Sequence, residues 1–187
     1  MNDQEYQVFL KAMEYQNNNQ LNECINLLIQ LSKKQNKKAM FELAKIYCQS
    51  NDSSLVKKAI NIFVLTGENG YVESYYYLGL IFYKLKDYEE SYRYFSLADK
   101  YPKSNIYLGL MELKGKVKNS SKRKGFLYFI NGSKKKIHEC DYLLSVCYQN
   151  GYGVNISEEK RNYYFSKAMK FKVDIEKLNK ELKVFNR

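Results

Sequence analysis

The sequence predicts an all-α protein built from five consecutive helix-turn-helix repeats. Two observations point to this class. The 187 residues include one proline and nine glycines, fewer turn-forming residues than a β-sheet protein of this size normally needs. Segments with apolar residues at helical spacing also recur along the chain every 30 to 36 residues. A period of this length is typical of stacked helical hairpins.

The first helix of each repeat has a small residue at the fourth place of a shared segment. The five segments are FLKAMEY (9–15), FELAKIY (41–47), YYLGLIF (76–82), IYLGLME (106–112) and YLLSVCY (142–148). Their small residues are Ala12, Ala44, Gly79, Gly109 and Ser145. Helix axes approach to about 8–10 Å only where a side chain is short, so these positions predict helix crossings.

A second helical segment follows each first helix after a short polar turn. These segments are LNECINLLIQLS (21–32), VKKAINIFVLTG (56–67), YEESYRYFSLAD (88–99), KRKGFLYFINGS (122–133) and EKRNYYFSKAMK (159–170). We therefore expect a single repeat domain whose hairpins cover about 4–35, 37–68, 71–101, 103–133 and 137–171.

The segment VDIEKLNKELKVF predicts one more helix, over about 173–186. Its apolar stripe comprises Val173, Ile175, Leu178, Leu182 and Phe185. An open stack of hairpins needs a helix with one polar face to cover its last apolar surface, so we assign this segment as a cap. The alternative is a helix that binds another protein.

Two of the repeats resemble known families. Residues 72–102 are similar to a tetratricopeptide repeat, through Tyr75, Leu78, Gly79, Phe82, Asp87, Tyr88, Ser91, Phe95, Ala98 and Pro102. Residues 140–169 are similar to a Sel-one-like repeat, through Cys140, Leu144, Ser145, Tyr148, Gly151, Gly153, Val154, Tyr164, Phe165, Lys167, Ala168 and Met169. The resemblance covers about residues 5–171 and implies a right-handed α-solenoid. Gly125 and Arg161 stand where these families usually have alanine, which leaves the local packing open.

The glycine-rich stretch NGYGV (150–154) could be a phosphate-binding loop or a bend. A phosphate-binding loop follows a strand and opens a helix, whereas this stretch follows a helix. We therefore interpret it as a bend, with Gly151 in the left-handed conformation that ends the helix. Ser157 is then the N-cap of the next helix.

The sequence lacks the residue patterns of a catalytic or metal site. The single histidine, His138, lies two residues from Cys140, and on a helix these two side chains point in different directions. Cys24, Cys48, Cys140 and Cys147 form no C-x-x-C pair, so we expect buried free thiols. We expect no enzymatic activity, no cofactor and no metal.

The resemblance implies that the first helices line a concave groove that binds a segment of another protein. The groove residues by this comparison are Tyr6, Phe9, Phe41, Lys45, Tyr76, Leu80, Tyr83, Lys84, Ile106, Leu110 and Tyr142, with Lys114 beside them. Tyrosine suits such a surface because it offers a large contact area and a hydroxyl group at a low entropic cost. The alternative is that several of these side chains pack against the next repeat.

The net charge of +11 is concentrated in one segment. Residues 113–138 contain nine basic residues and no acidic one: Lys114, Lys116, Lys118, Lys122, Arg123, Lys124, Lys134, Lys135 and Lys136. This basic patch predicts a protein partner with an acidic surface or segment. Nucleic acid is the alternative partner, although the nearby aromatic residues lie at core positions of the predicted helix.

No apolar run is long enough to span a bilayer, and the first residues lack a signal-peptide pattern. We therefore expect a cytoplasmic protein. The predicted function is a non-enzymatic scaffold or adaptor. An inhibitor, an effector and a toxin-neutralising partner are variants of this role between which the sequence does not choose.

Overall fold

The structure is a computed structural model that describes residues 2–183 of the chain. Over these residues the chain forms eleven α-helices and no strand. The helices are α1 (Asp3–Asn17), α2 (Leu21–Lys33), α3 (Lys37–Tyr47), α4 (Ser53–Glu68), α5 (Val72–Lys84), α6 (Tyr88–Leu97), α7 (Ser104–Leu113), α8 (Lys122–Lys134), α9 (His138–Asn150), α10 (Glu158–Met169) and α11 (Ile175–Lys183). The prediction of five helical pairs followed by a capping helix is confirmed. Phe185, the last residue of the predicted apolar stripe, lies outside the described residues.

Local sequence signals set the ends of several helices. Asn36 and Asp87 precede α3 and α6, and the side chain of each accepts a backbone N–H of the first turn. Ser157 accepts the N–H of Lys160 at the start of α10, as predicted. Gly151 ends α9 in the left-handed conformation, with a φ of 69°, so the NGYGV stretch is a bend between two helices.

The chain divides into two compact units, residues 1–81 and residues 82–187. The core of the first unit joins α1, α2 and α3 through Phe9, Ala12, Cys24, Leu28, Leu31, Ala39 and Leu43. An aromatic group joins α3, α4 and α5, where Phe63 stacks on Tyr77 at 5.2 Å and meets the edge of Phe41 at 5.8 Å. The expectation of a single domain stays a prediction.

The core of the second unit extends from α7 to α11. Its buried residues are Ile106, Leu110, Leu113, Phe126, Phe129, Cys140, Tyr142, Leu143, Leu144, Cys147, Tyr148, Ala168 and Leu178. Val173, Ile175 and Leu182 pack against this cluster from the C-terminal segment. Helix α11 therefore covers the second unit with the apolar stripe that the sequence predicts.

Small residues allow the helices to approach closely. All five small residues of the first helices are buried: Ala12, Ala44, Gly79, Gly109 and Ser145. One such close approach lies between α7 and α8, where a Cβ atom on Gly109 would overlap the Phe129 ring. A Cβ atom on Gly125 would lie 2.8 Å from the carbonyl oxygen of Gly109. Gly125 thus replaces the usual alanine because even a methyl group does not fit.

The four cysteines are free thiols, and three of them are buried. Burial raises the pKa of Cys147 to about 12 and also raises the pKa values of Cys24 and Cys140. Cys48 is partly exposed, and its Sγ donates to the carbonyl oxygen of Lys45 at 3.2 Å. Cys48 is therefore the most accessible thiol.

We expect Gly109→Ala to lower the free energy of unfolding by about 1–3 kcal/mol, because the added methyl group overlaps the Phe129 ring. The direction of this change is diagnostic, because replacing glycine by alanine in an unhindered helix raises the free energy of unfolding by roughly 1 kcal/mol. Urea unfolding followed by circular dichroism measures the change. Ser166→Ala, at an exposed position of α10, is the control and should change stability by less than about 0.5 kcal/mol. A Gly109→Ala variant as stable as the wild type would contradict the tight contact.

A thiol reagent at pH 8 should modify Cys48 quickly and the other three cysteines only after unfolding, because a buried thiol with a raised pKa supplies little thiolate. The measurement is the time course of 5-thio-2-nitrobenzoate release from native and urea-unfolded protein. Cys48→Ser should remove the fast phase. Any fast thiol that remains in that variant would show that one of the buried cysteines is accessible to the reagent.

Candidate protein-binding site

Three residues of the second unit place polar groups beside α11. Tyr83 lies at the end of α5, Lys114 directly follows α7, and Tyr142 lies in the first half of α9. Each of these side chains lies within hydrogen-bonding or ion-pairing distance of a side chain of α11. We call Tyr83, Lys114 and Tyr142 the α11-binding face.

Tyr83 is held by aromatic neighbours and donates a hydrogen bond to α11. Its ring meets Tyr88 and Tyr107 edge to face, with centroid distances of 5.6 and 5.2 Å. Its hydroxyl donates to Oε2 of Glu181 at 2.9 Å. Burial, with the Glu181 carboxylate as a further cause, raises the pKa of Tyr83 well above its usual range. The hydroxyl therefore remains protonated and acts as a donor.

Lys114 is a buried cation whose counter-ion comes from α11. Its side chain is 4% exposed, and its Nζ lies 3.8 Å from Oε2 of Glu181. The same Nζ donates to the Tyr83 hydroxyl at 3.5 Å. Burial lowers the pKa of Lys114, and Glu181 opposes this effect. A dehydrated ammonium group needs a nearby anion, so this position favours a carboxylate.

Tyr142 completes the face on α9. Its hydroxyl donates to Oδ1 of Asn179 at 2.7 Å. Its ring belongs to the apolar cluster that also contains Ile106, Leu110 and Leu178. Helix α11 is therefore held by an apolar contact, by a hydrogen bond to the side-chain amide of Asn179, and by the contacts of Tyr83 and Lys114 with the Glu181 carboxylate.

The structure corrects the exposure expected for several predicted groove residues. Six of the eleven are buried: Phe9, Phe41, Tyr76, Ile106, Leu110 and Tyr142. Phe9, Ile106 and Leu110 are core residues because first helices pack on their own partner helices with more of their surface than the pattern suggests. The side chains of these residues are therefore packed inside the helical stack and do not line an open groove.

The remaining predicted groove residues lie nearer the surface. Tyr6 is 43% exposed, Lys84 is exposed, and Leu80 and Tyr83 are partly buried. Lys45 pairs with Glu42 at 2.8 Å within α3. The predicted groove set did not include Asn179 and Glu181. The polar positions beside the apolar stripe of α11 could have indicated them.

The basic patch separates into two exposed groups and one buried lysine. The group at the start of α8 contains Lys116, Lys118, Lys122, Arg123 and Lys124, of which Lys116 is partly buried. The group at its end contains Lys134, Lys135 and Lys136. Helix α8 has thirteen residues, so the groups lie about 20 Å apart along its axis. Lys114 does not share this exposed surface.

Two buried carboxylates fix α7 and α9, which lie behind two of the three residues of the α11-binding face. Glu112 of α7 accepts from the Tyr92 hydroxyl and from the backbone N–H of Ser121, each at 2.8 Å. Asp141 of α9 is fully buried and accepts from Nζ of Lys167 at 2.8 Å. Both carboxylates join neighbouring helices, which favours one packing arrangement.

The Asp141 site also contains the single histidine. Nδ1 of His138 lies 3.0 Å from Oδ2 of Asp141, and the His138 ring stacks on Phe171. The hydroxyl of Ser133 donates to the other carboxylate oxygen. The histidine thus lies between the start of α9 and the segment that follows α10. Asp141, His138, Ser133 and Lys167 therefore form a structural hydrogen-bond network between helices.

Across residues 2–183, no group of three or more His, Cys, Asp or Glu side chains is arranged to hold a metal ion. None of the helices described here combines the length and apolar character that crossing a membrane requires.

The sequence matches no protein-family model and no curated protein. Among solved structures, the fold is similar to that of a Sel1 repeat protein from Oxalobacter formigenes, with a TM-score of 0.69 and 18% identity over 79% of this chain and 61% of that one. It is also similar to a protective antigen present in uropathogenic Escherichia coli strains, which displays an SLR fold, with a TM-score of 0.77 and 15% identity over 96% of this chain and 41% of that one.

The chain spans less than two thirds of the length of either solved structure. At these identities the likeness establishes the fold, which is that of the Sel-one-like (Sel1-like) repeat proteins, a tetratricopeptide-like α-solenoid. The family resemblance predicted from the sequence is confirmed at this level.

We expect Lys167→Met to destabilise the protein more than Asp141→Asn does. The first change leaves a fully buried carboxylate without its cation, whereas the second leaves a lysine that is 32% exposed and can reach water. The expected losses are about 2–4 kcal/mol and about 1–2 kcal/mol, measured by urea unfolding at pH 7. The opposite order would show that the ion pair contributes less than the Ser133 and His138 contacts of Asp141.

Proposed function

We propose that this protein is a non-enzymatic scaffold that binds a segment of another protein on the α11-binding face. One observation carries the proposal: this face already binds a helix, through apolar side chains and through hydroxyl and ammonium groups directed at a carboxylate. A surface that accommodates a helix of its own chain has the shape and polarity to accommodate a helix from a partner.

The repeat fold supports this proposal. Stacked helical hairpins expose an extended series of first helices, and such surfaces commonly bind peptides and proteins. The buried networks at Glu112 and Asp141 hold these helices in place, so the binding groups are preorganised.

The exposed cations at the two ends of α8 favour a partner with an acidic surface. The surrounding segment, residues 113–138, contains no acidic residue, so its field attracts an acidic protein from a distance. Surface charge of this kind increases the association rate more than it strengthens the final complex. The patch therefore steers an acidic partner toward the protein.

Nucleic acid remains a distinct outcome of the experiment. Base stacking requires accessible aromatic faces beside the cations. Phe126 and Phe129 are buried in the core, and the Tyr128 hydroxyl shares a hydrogen bond with Tyr92 at 2.9 Å. These contacts favour a protein partner over a single-stranded nucleic acid.

The experiment is affinity capture from the source cell with nuclease treatment, followed by binding kinetics with the purified partner. A double variant, Tyr83→Ala with Lys114→Ala, should lose the captured protein because it removes the carboxylate-binding groups. Lys57→Ala is the control, since Lys57 is exposed on α4 and belongs neither to the predicted groove nor to the basic patch. Circular dichroism must show unchanged helicity.

Reversing the charge of Lys122, Arg123 and Lys124 to glutamate should lower the association rate constant about tenfold at low salt, with a small effect on dissociation. A partner that survives the Tyr83/Lys114 change but is lost on charge reversal would place the binding site on the basic patch. Recovery that depends on intact nucleic acid would replace the protein-binding proposal.

A further inference from the structure

Helix α11 presents an apolar stripe with two polar groups beside it. Ile175, Leu178 and Leu182 recur at positions i, i+3 and i+7 and pack on the core of the second unit. Asn179 and Glu181 lie beside this stripe and pair with Tyr142, Tyr83 and Lys114. The opposite side of the helix, at Glu176, Lys177 and Lys180, is exposed. The docking contacts thus use one side of a short amphipathic helix.

We propose that α11 is an intramolecular ligand that occupies the site of a partner helix with the same chemistry. The partner is an amphipathic helix with apolar residues at i, i+3 and i+7 and a carboxylate at i+6, which faces Lys114 and Tyr83. It binds by displacing α11. This inference rests on the proposed function and adds the chemistry of the partner and an autoinhibitory contact.

Helix α11 has the properties of a displaceable segment. Its described part, Ile175–Lys183, has nine residues, whereas isolated helices shorter than about 12–15 residues are marginal in water. Its helical structure therefore depends on docking, and a displaced α11 loses it. The segment 170–174 joins it to α10, so the released helix stays attached and competes at a high effective concentration.

The carboxylate requirement follows from Lys114. Its side chain is 4% exposed while α11 is docked, and the Tyr83 hydroxyl beside it already donates to Glu181. An incoming helix without an anion at this place would cover the ammonium group and replace its contact with a carboxylate by a contact with a neutral group, which is unfavourable. The Glu181 side chain is 31% exposed and its Oε2 lies 3.8 Å from Lys114 Nζ, so a carboxylate that approaches more closely can compete with it.

The experiment uses the full chain and a peptide copied from α11. The probe is a fluorescein-labelled peptide with the sequence of residues 172–183. A lactam joins its Glu176 and Lys180 equivalents, which are exposed in α11, and stabilises the helix without changing the docking side. Fluorescence anisotropy measures its affinity for the wild type and for Leu178→Asp, Glu181→Gln and Lys177→Gln.

Leu178→Asp should bind the peptide at least about tenfold more tightly than the wild type, because α11 no longer competes for the site. Glu181→Gln should show a smaller gain. Lys177→Gln is the matched control on the exposed side of α11 and should behave as the wild type. Adding Lys114→Ala to Leu178→Asp, or replacing the glutamate of the peptide at the 181 position by glutamine, should remove most of the gain.

Two results would overturn the proposal. One is equal affinity, or absence of binding, for the wild type, Leu178→Asp and Glu181→Gln with helicity preserved. The other is dimerisation of the wild-type chain by exchange of α11, detected by light scattering, because the occupant of the site would then be a second copy. If the peptide fails but cellular capture still depends on Tyr83 and Lys114, the scaffold function stands and the mimicry by α11 does not.

Discussion

The close approach of α7 and α8 at two glycines is the constraint on which the second unit depends. Gly109 leaves space for the Phe129 ring, and Gly125 lies against the backbone of Gly109. Phe129 belongs to the same core cluster as Tyr142 and Leu178. The contact between the glycines therefore sets how closely α7 and α8 pack within the core to which Tyr142 of α9 and Leu178 of α11 also belong.

Three buried charges specify this arrangement, and one of them differs from the others. Glu112 and Asp141 find their partners on elements adjacent in the stack. Lys114 finds its anion on α11, which is joined to the stack by a short segment. Removing one partner of a buried ion pair destabilises a fold strongly, because the other charge stays buried. The ion pair between Lys114 and Glu181 thus links the position of α11 to the negative charge of Glu181.

The sequence predicted the repeats well because helix ends and helix crossings depend on local residue types. Gly151, Ser157 and the buried small residues behave as predicted. Exposure along the first helices was harder to predict, since Phe9 and Leu110 could face either a groove or the core at the same helical spacing. The pairing of Lys114 with Glu181 was not predicted. It joins residues 67 positions apart, and no local pattern specifies such a contact.

The cluster of cations at the start of α8 has a consequence for local dynamics. Lys122 to Lys124 occupy its first turn, where the helix dipole disfavours positive charge, and Ser121 provides no side-chain cap. This turn is held instead by tertiary contacts, from Glu112 to the Ser121 amide and from Arg123 to the Gly153 carbonyl oxygen. Its opening, which amide hydrogen exchange would detect, is therefore governed by these contacts with α7 and with the loop after α9, and not by the helix to which it belongs.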